Sequence, residues 1–336
     1  MSFMTREAVT IEEVAARAGV SRSTVSRVVN GSTAVSPTAL DAVRRAIADL
    51  NYVPNRAARS LARRQTHAIA FVIPEDTGRF FGDPFFASIV AGVHERMAQS
   101  EYVLNLIIAS DDPHDKATTY LRSGSVDGVI VASHHTSDTF LDLIAADLPV
   151  VYGGRPGRIG PSDYYVDIDN VGGGREAARY LVEQGHRRLA SISGPATMTA
   201  ATDRLRGFRE AAEKAGLDLV AVEDGDFSEA GGADAMRRIL ESGAAPDGLF
   251  VASDLMARGA LATLREAGVS VPGDLALIGF DDSPVATAVT PALTTIRQPS
   301  RGQGASMAAV LLDLLAGRDA AHSTILPIEL VVRESA

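Results

Sequence analysis

Four polar side chains near the amino terminus, Arg22, Ser23, Ser26 and Arg27, recur at a spacing that puts them on one side of a helix. Two guanidiniums and two hydroxyls on an exposed helix face suit a DNA major groove. Arg pairs there with guanine O6 and N7, and Ser reaches bases or phosphates. A second set follows short apolar runs further along the chain: Phe85-Phe86, Ser133-His134-His135, Gly154-Arg155, Arg204, Asp226-Phe227, Ser253-Asp254 and Asp281-Asp282. Carboxylate and guanidinium groups take paired hydroxyls and an aromatic face covers the C–H side of a ring. If these groups converge, they describe a sugar site. Each has a plainer reading. The arginines of the first set can be the solvated face of an ordinary helix pair. His134 and His135 can form a surface loop, Asp254 can cap the helix starting at Leu255, and Phe85 and Phe86 can belong partly to a core.

The elements that must position the first set are written into residues 10–30, TIEEVAARAGVSRSTVSRVVN. Thr10-x-x-Glu13 is a capping-box pattern, and Ile11, Val14 and Ala15 give the first helix an apolar stripe. Ala15, Ala16 and Ala18 allow close approach of a second helix. Gly19 supplies the left-handed residue of the turn. Ser21 caps the second helix, whose Val25, Val28 and Val29 point inward. Ser36-Pro37 starts a third helix, with Leu40, Val43, Ile47 and Leu50 on one face. Residues 56–65, RAARSLARRQ, follow an extended connector. This segment is too short and too polar to be a stable isolated helix, with Leu61 its one large apolar side chain. It reads either as a flexible basic linker or as a helix that forms on phosphate.

Charge is divided unevenly. The chain has 336 residues and a net charge of −10, yet the first 65 carry ten Arg, no Lys and five Asp or Glu. The remaining 271 carry 22 basic and 37 acidic side chains. A basic module on an acidic body is the asymmetry expected when only one end meets phosphate. With no Cys, disulfides and thiolate metal sites are excluded. The opening residues contain no apolar stretch of the secretory type, and no apolar run approaches the ~20 residues of a membrane span. A cytoplasmic protein without a membrane partner is expected.

Residues 15–31, with the pattern A-x-x-A-G-V-S-x-x-T-V-S-R-V-x-N-G, together with Y-V-P-N at 52–55, resemble the DNA-binding region of the LacI/GalR family of bacterial repressors. The resemblance extends to V-R-E-S at 332–335. It implies that Arg22 and Ser23 set operator preference and that Arg27 contacts a guanine. Thr10, Ser21, Thr24, Ser26, Asn30, Ser36, Tyr52 and Asn55 match positions that hold the phosphate backbone. Residues 56–63 match a hinge helix paired with its dimer mate in the minor groove. Ala58 and Leu61 lie on it, Leu61 as the wedge that bends the DNA.

From His67 onward, β-branched apolar runs at 68–75, 102–110, 128–133, 149–154, 189–194, 219–225, 248–253 and 275–280 alternate with helical patterns. That alternation predicts parallel sheets covered on both faces. Its length predicts two doubly wound lobes of periplasmic-binding-protein type, α/β in class, behind an all-α helix-turn-helix headpiece. The expected domains are a headpiece at 1–54, a hinge at 55–66 and an effector-binding region at 67–336. Its first lobe takes about 67–165 and 299–323, its second about 166–298 and 324–336. Crossings are expected near 163–170, 296–301 and 323–326.

In such lobes ligands bind beyond the carboxyl ends of the strands. The family resemblance singles out Arg204 and Asp281 as principal effector contacts, Phe227 as the stacking aromatic, and Gln298 and Ser253 as further pocket positions. Phe85, Phe86, Ser133, His134 and Arg155 complete the expected set. Several members have Asp at the end of the fourth strand where this chain has Gly154-Arg155. The YGGRP, VDIDN and GGGR runs look closest to actinobacterial regulators answering cellobiose or related glucosides.

The implied protein is an operator-binding repressor controlled by a small sugar, with no cofactor and no metal. A dimer is expected, since nothing after Ala336 resembles a tetramerising helix and two-fold symmetry suits a palindromic operator. An enzyme is the first competing class. The chain has no G-x-G-x-x-G after its first strand, no phosphate-loop G-K pair, no G-x-S-x-G and no H-E-x-x-H. Gly172-Gly173-Gly174 sits at a helix start, where packing is sufficient reason. Asp281 and Asp282, adjacent after one strand, should point apart and make no glycosidase pair. A periplasmic sugar-binding protein is the second competitor, and it would need a signal sequence where this chain has helices.

Overall fold

The computed structural model describes residues 9–30, 32, 34–53, 65–110 and 114–336. Asn55, Ala58, Leu61 and the expected hinge helix lie outside them. The chain divides into two compact units, Met1–Thr66 and His67–Ala336.

The first unit contains α1 (Ile11–Ala18), α2 (Arg22–Val29) and α3 (Pro37–Leu50). Thr10 and Glu13 form the reciprocal capping box: the Glu13 carboxylate takes the Thr10 N–H at 2.6 Å, and Thr10 Oγ1 accepts from the Glu13 N–H at 3.3 Å. Gly19, at φ 66°, turns the chain out of α1. Ser21 and Ser36 cap α2 and α3, and Pro37 opens α3. Val14, Val25 and Val43 are fully buried at the centre, joined by Ala15 and Ala46. Each of these valines contributes about 1.5–3 kcal/mol by leaving water. Arg22, Ser23 and Arg27 are exposed, whereas Ser26 is half-buried and accepts from the Asn30 side-chain amide at 3.3 Å. Arg22 also reaches back to Glu12 across the turn, at 3.1 Å.

The second unit holds two six-stranded sheets. Its first lobe is built from β1 (Ala68–Ile73), α4 (Thr77–Gly82), α5 (Pro84–Met97), β2 (Val103–Ile108), α6 (Lys116–Tyr120), β3 (Gly128–Ala132), α7 (Phe140–Ala145), β4 (Val150–Gly153) and β5 (Tyr164–Ile168). The second lobe is built from α8 (Asn170–Glu183), β6 (Leu189–Ser193), α9 (Thr199–Lys214), β7 (Ala221–Asp224), α10 (Glu229–Glu241), β8 (Gly248–Val251), α11 (Asp254–Glu266), β9 (Ala276–Asp281), α12 (Pro284–Ala288) and β10 (Thr294–Arg297). The chain then returns to the first lobe as α13 (Ser300–Leu315) and β11 (Ser323–Leu326), and finishes in the second as β12 (Glu329–Val331).

Strand order in the first sheet is β11-β5-β4-β3-β1-β2, all parallel. In the second it is β12-β10-β9-β8-β6-β7, parallel except that β12 runs antiparallel to β10. That last strand departs from the all-parallel expectation. It enters the second sheet directly from the first, two residues after β11, and not through a helical crossover within its own sheet. The lobe boundaries also move. Tyr164–Ile168 and Ser323–Leu326 pair with each other in the first sheet, so the chain leaves that lobe after Ile168 and Leu326, three residues beyond the expected 165 and 323. These polar-interrupted strands carry the crossings at their ends, which is why pattern alone places the boundary early.

The central strands β1 and β3 are buried almost throughout, as parallel strands covered on both faces must be. Apolar clusters line both faces of each sheet. At the edge of the first sheet, β2 leaves Val103 and Leu106 42% and 46% exposed. No described helix is long and apolar enough to cross a membrane.

Candidate effector site

Strand order reverses direction between β1 and β3 in the first lobe and between β6 and β8 in the second. At such a switch point the connections leave on opposite faces and open a crevice at the carboxyl ends of the strands. The two crevices face each other across one cleft, lined by residues of both lobes.

Arg204 is its centre. It sits on α9, which packs against α8 without side chains between the backbones. A Cβ on Gly174 would lie 1.9 Å from the Arg204 carbonyl oxygen, and one on Gly207 1.9 Å from that of Val171. Gly174 thus serves helix packing, Gly173 sits against Phe280 and Ile296 of the sheet, and the packing of α8 on α9 holds the arginine. Arg204 is 6% exposed. Its Nε donates to Asn170 Oδ1 at 2.9 Å, Nη1 to the Ala252 carbonyl at 2.7 Å and Nη2 to Gln298 Oε1 at 3.5 Å. The guanidinium covers the Phe280 ring at 3.6 Å and stands 5.8 Å from that of Phe227.

Asp281 faces Arg204 at 3.7 Å and accepts from Gln298 Nε2 at 2.6 Å. Asp282 turns away to Arg297 and Arg333, so the two carboxylates do point apart. Burial raises the Asp281 pKa well above the ordinary carboxylate range, with Arg204 opposing. Burial also lowers the Arg204 pKa, countered by Asp281, Asp167, Asp254 and Asp83. Charge in the cleft is held by these mutual contacts rather than by water.

Backbone strain collects at the same place. Ser133, Asp226, Phe227, Asp281 and Asp282 all have positive φ, 59°, 52°, 46°, 113° and 53°. Non-glycine residues hold such angles only where their surroundings impose them, typically at binding sites.

Eight of the ten expected effector positions line the cleft: Phe85, Phe86, Ser133, Arg204, Phe227, Ser253, Asp281 and Gln298. Phe86 is also core, 1% exposed, while Phe85 is half-buried. Ser253 has a second task as the cap of α11, accepting from the Met256 N–H. Asp254 is therefore not the cap; it is buried and accepts from Thr295 Oγ1 at 2.6 Å and the Ser283 N–H at 2.8 Å.

His134 and Arg155 are not among the lining residues. His134 is not a surface-loop residue. It is 8% exposed, donates from Nε2 to the Gly154 carbonyl at 3.3 Å and packs edge-on against Tyr152. Burial lowers its pKa. Arg155 reaches across to Asp203 on α9, at 2.7 Å.

Sequence reasoning missed Arg79, Asp83, Asp167, Asn170, Met198 and Gln303, which also line the cleft. Asp83-Pro84 carries a helix-start signal that hides a second task. Asp83 accepts from the Phe85 N–H at 2.9 Å, and burial raises its pKa despite that bond and nearby Arg79. Asp167 and Asn170 belong to the stretch expected as a crossing, and their polarity within it was the available signal. Arg79 gave none. It lies 3.1 Å from Glu75, and its buried Nε has no hydrogen-bond partner among the described residues.

Among the described residues no His/Asp/Glu group could hold a metal ion. The assembled groups bind and orient: three carboxylates, two guanidiniums, amides and aromatic faces, which together match a polyhydroxylated ring.

Comparison with known proteins places both units. Residues 10–55 match the bacterial regulatory proteins of the lacI family, and residues 178–336 match the periplasmic binding protein-like domain. The chain is 45% identical over 334 residues, 97% of its length and 98% of the relative's, to the HTH-type transcriptional regulator CelR of Thermobifida fusca. It is 37% identical over 296 residues, 86% of its length and 88% of the relative's, to the ribose operon repressor of Escherichia coli. Among solved structures, a CelR–cellobiose complex covers 98% of this chain and 100% of its own at TM-score 0.78 and 43% identity. A lac repressor dimer bound to operator and the anti-inducer ONPF covers 98% and 99% at TM-score 0.85 and 28% identity. With this identity across nearly its whole length, a capped helix-turn-helix unit and a two-lobed cleft, the chain belongs to the lacI family of bacterial regulatory proteins.

Proposed function

We propose that this protein is a sequence-specific, DNA-binding transcriptional repressor. Its operator affinity is set by a small sugar, cellobiose or a related glucoside, bound between the lobes. One observation carries this reading: a single chain joins a helix-turn-helix unit with exposed Arg22 and Arg27 to a cleft where Arg204, Asp281 and Phe227 converge. The similarity to a regulator solved with cellobiose supports the choice of sugar.

In this reading Arg22, Ser23 and Arg27 read bases. Thr10, Ser21, Thr24, Ser26, Asn30, Ser36, Tyr52 and Asn55 hold phosphates, and Ala58 and Leu61 enter the minor groove. Asp281, Asp83 and Asp167 accept from sugar hydroxyls, Arg204 and Arg79 donate to them, and Phe227 and Phe85 cover the ring faces. Sugar binding changes lobe closure and lowers operator affinity by a coupling free energy of ~1–3 kcal/mol per site. The protein works as a homodimer on a palindromic operator, in the cytoplasm on the nucleoid. The apolar edge left by Val103 and Leu106 fits a second copy better than water.

Fluorescence anisotropy on a palindromic operator, with and without a panel of mono- and disaccharides, tests the proposal. Specific binding that cellobiose weakens is expected. No specific binding under any sugar condition, together with turnover of a glucoside, would leave the repressor reading without support.

A further inference from the structure

Arg155 occupies the position where a cleft contact was expected, yet it spends its charge elsewhere. Its Nη2 meets Asp203 Oδ2 at 2.7 Å, joining the end of β4 in the first lobe to α9 in the second. Its backbone is held as well. The Arg155 N–H donates to Asp167 at 3.1 Å, and its carbonyl accepts from Thr199 Oγ1, again in the second lobe, at 2.5 Å. Asp203 is 7% exposed and shares its carboxylate with Arg206, 2.8 Å away.

Arg155 is one of a group of such contacts. The Thr136 N–H donates to the Thr197 carbonyl at 2.8 Å, and His135 Nδ1 lies 2.6 Å from Thr197 Oγ1. Arg79 lies 3.9 Å from Asp226 and points Nη2 at the Met198 sulfur at 3.6 Å. In every case a first-lobe residue meets residues 197–203 or 226 of the second lobe. Two arginines on one rim face two aspartates on the other, an arrangement that favours closure and one register of it.

We propose that Arg155 is a positioning residue at the centre of an interlobe clasp, which holds the cleft closed and thereby sets how firmly a bound effector is retained. The value of such a contact lies in the equilibrium between open and closed lobes. A ligand gripped by both lobes binds with an apparent affinity scaled by the closed fraction. Because Arg155 is outside the cleft lining, its removal changes closure without deleting a ligand contact. Because Arg206 still partners Asp203 afterwards, the change is graded rather than the loss of a stranded buried charge.

The proposal takes its effector from the sugar reading above, but its first test needs no sugar. Hydrogen exchange on the full chain is expected to quicken about threefold to tenfold in Arg155→Ala at residues 133–137 and 197–204, with the sheet cores unchanged. Asp203→Ala should do the same, and the double variant should be no faster than either single one. With cellobiose as probe, Arg155→Ala should bind about threefold to tenfold more weakly through faster dissociation, and Arg155→Lys should recover most of the loss. Unchanged exchange at those segments, or effects that simply add in the double variant, would overturn the clasp. Quickened exchange in a chain that binds no sugar would uphold the clasp and remove the sugar reading instead.

Discussion

The guanidinium carbon of Arg204 lies 3.6 Å over the centre of the Phe280 ring, with the Asp281 carboxylate 3.7 Å from its Nη1. Phe280 is a fully buried residue at the end of β9, so it is a fixed floor for the arginine. The floor, the Ala252 carbonyl and Asn170 leave Arg204 one place to stand. Protein groups alone therefore fix where the Arg204 guanidinium points.

Arg204→Ala is expected to abolish the sugar response while operator binding persists. It should also destabilise the effector unit by about 3–5 kcal/mol, since it strands the buried Asp281 carboxylate. Operator anisotropy with and without cellobiose, together with thermal unfolding of the same sample, checks both parts. A full sugar response in the variant would remove Arg204 from the site.

Gly174→Ala tests the support of that arginine without touching it. The new methyl would press on the Arg204 backbone carbonyl, and overpacking of this kind costs about 1–3 kcal/mol. A lower unfolding midpoint and weaker cellobiose binding should appear together in calorimetry. Loss of stability with unaltered affinity would mean that α8 does not set the arginine's position.

On the DNA side, Arg27→Ala should cost about 1–3 kcal/mol on the specific operator, much less on unrelated DNA, and nothing in sugar affinity. Competition binding at fixed salt measures the ratio. An equal loss on both DNAs would make Arg27 a phosphate contact.

Stability should also depend on pH through His135. Its hydrogen bond to Glu75, with help from the nearby Glu75 and Asp138 charges, raises its pKa above the ordinary value, against burial and Arg79. A histidine whose folded pKa is raised contributes most below about 6.5, its unfolded value, and the contribution disappears as pH rises through the raised one. The unfolding midpoint of the parent chain should therefore fall relative to His135→Gln over that window. A constant difference between the two would mean that His135 does not titrate there.

How much could be read before folding depends on how local the cause is. The capping box of Thr10 and Glu13, the turn at Gly19 and the caps at Ser21 and Ser36 each act within a few residues, so the headpiece was legible. Six of the eight apolar runs announced strands buried on both faces, which have nowhere to put polar side chains, and the other two form the edge strands β2 and β7. Arg204, Phe227 and Asp281 were legible as residues that follow apolar runs, and the family resemblance ranked them. Arg79 and Asp83 were not, because nothing in the local pattern separates them from a helix start. His134 and Arg155 misled for the same reason in reverse: both follow strands directly, yet one packs inward on Tyr152 and the other leaves the cleft for Asp203.

By itself, then, the sequence determined the two kinds of unit, their order, the polarity of each and most of the residues beyond the strand ends, since periodicity, capping and charge are properties of near neighbours. Only the tertiary structure decided which of those residues share a cleft, that β12 turns antiparallel, and that Arg155 ties one lobe to the other. Those outcomes depend on distances between residues tens to more than a hundred positions apart, such as Asp281 from Arg204 and Gln303 from Val166, and such distances exist only once both sheets have formed and the chain has crossed between them three times.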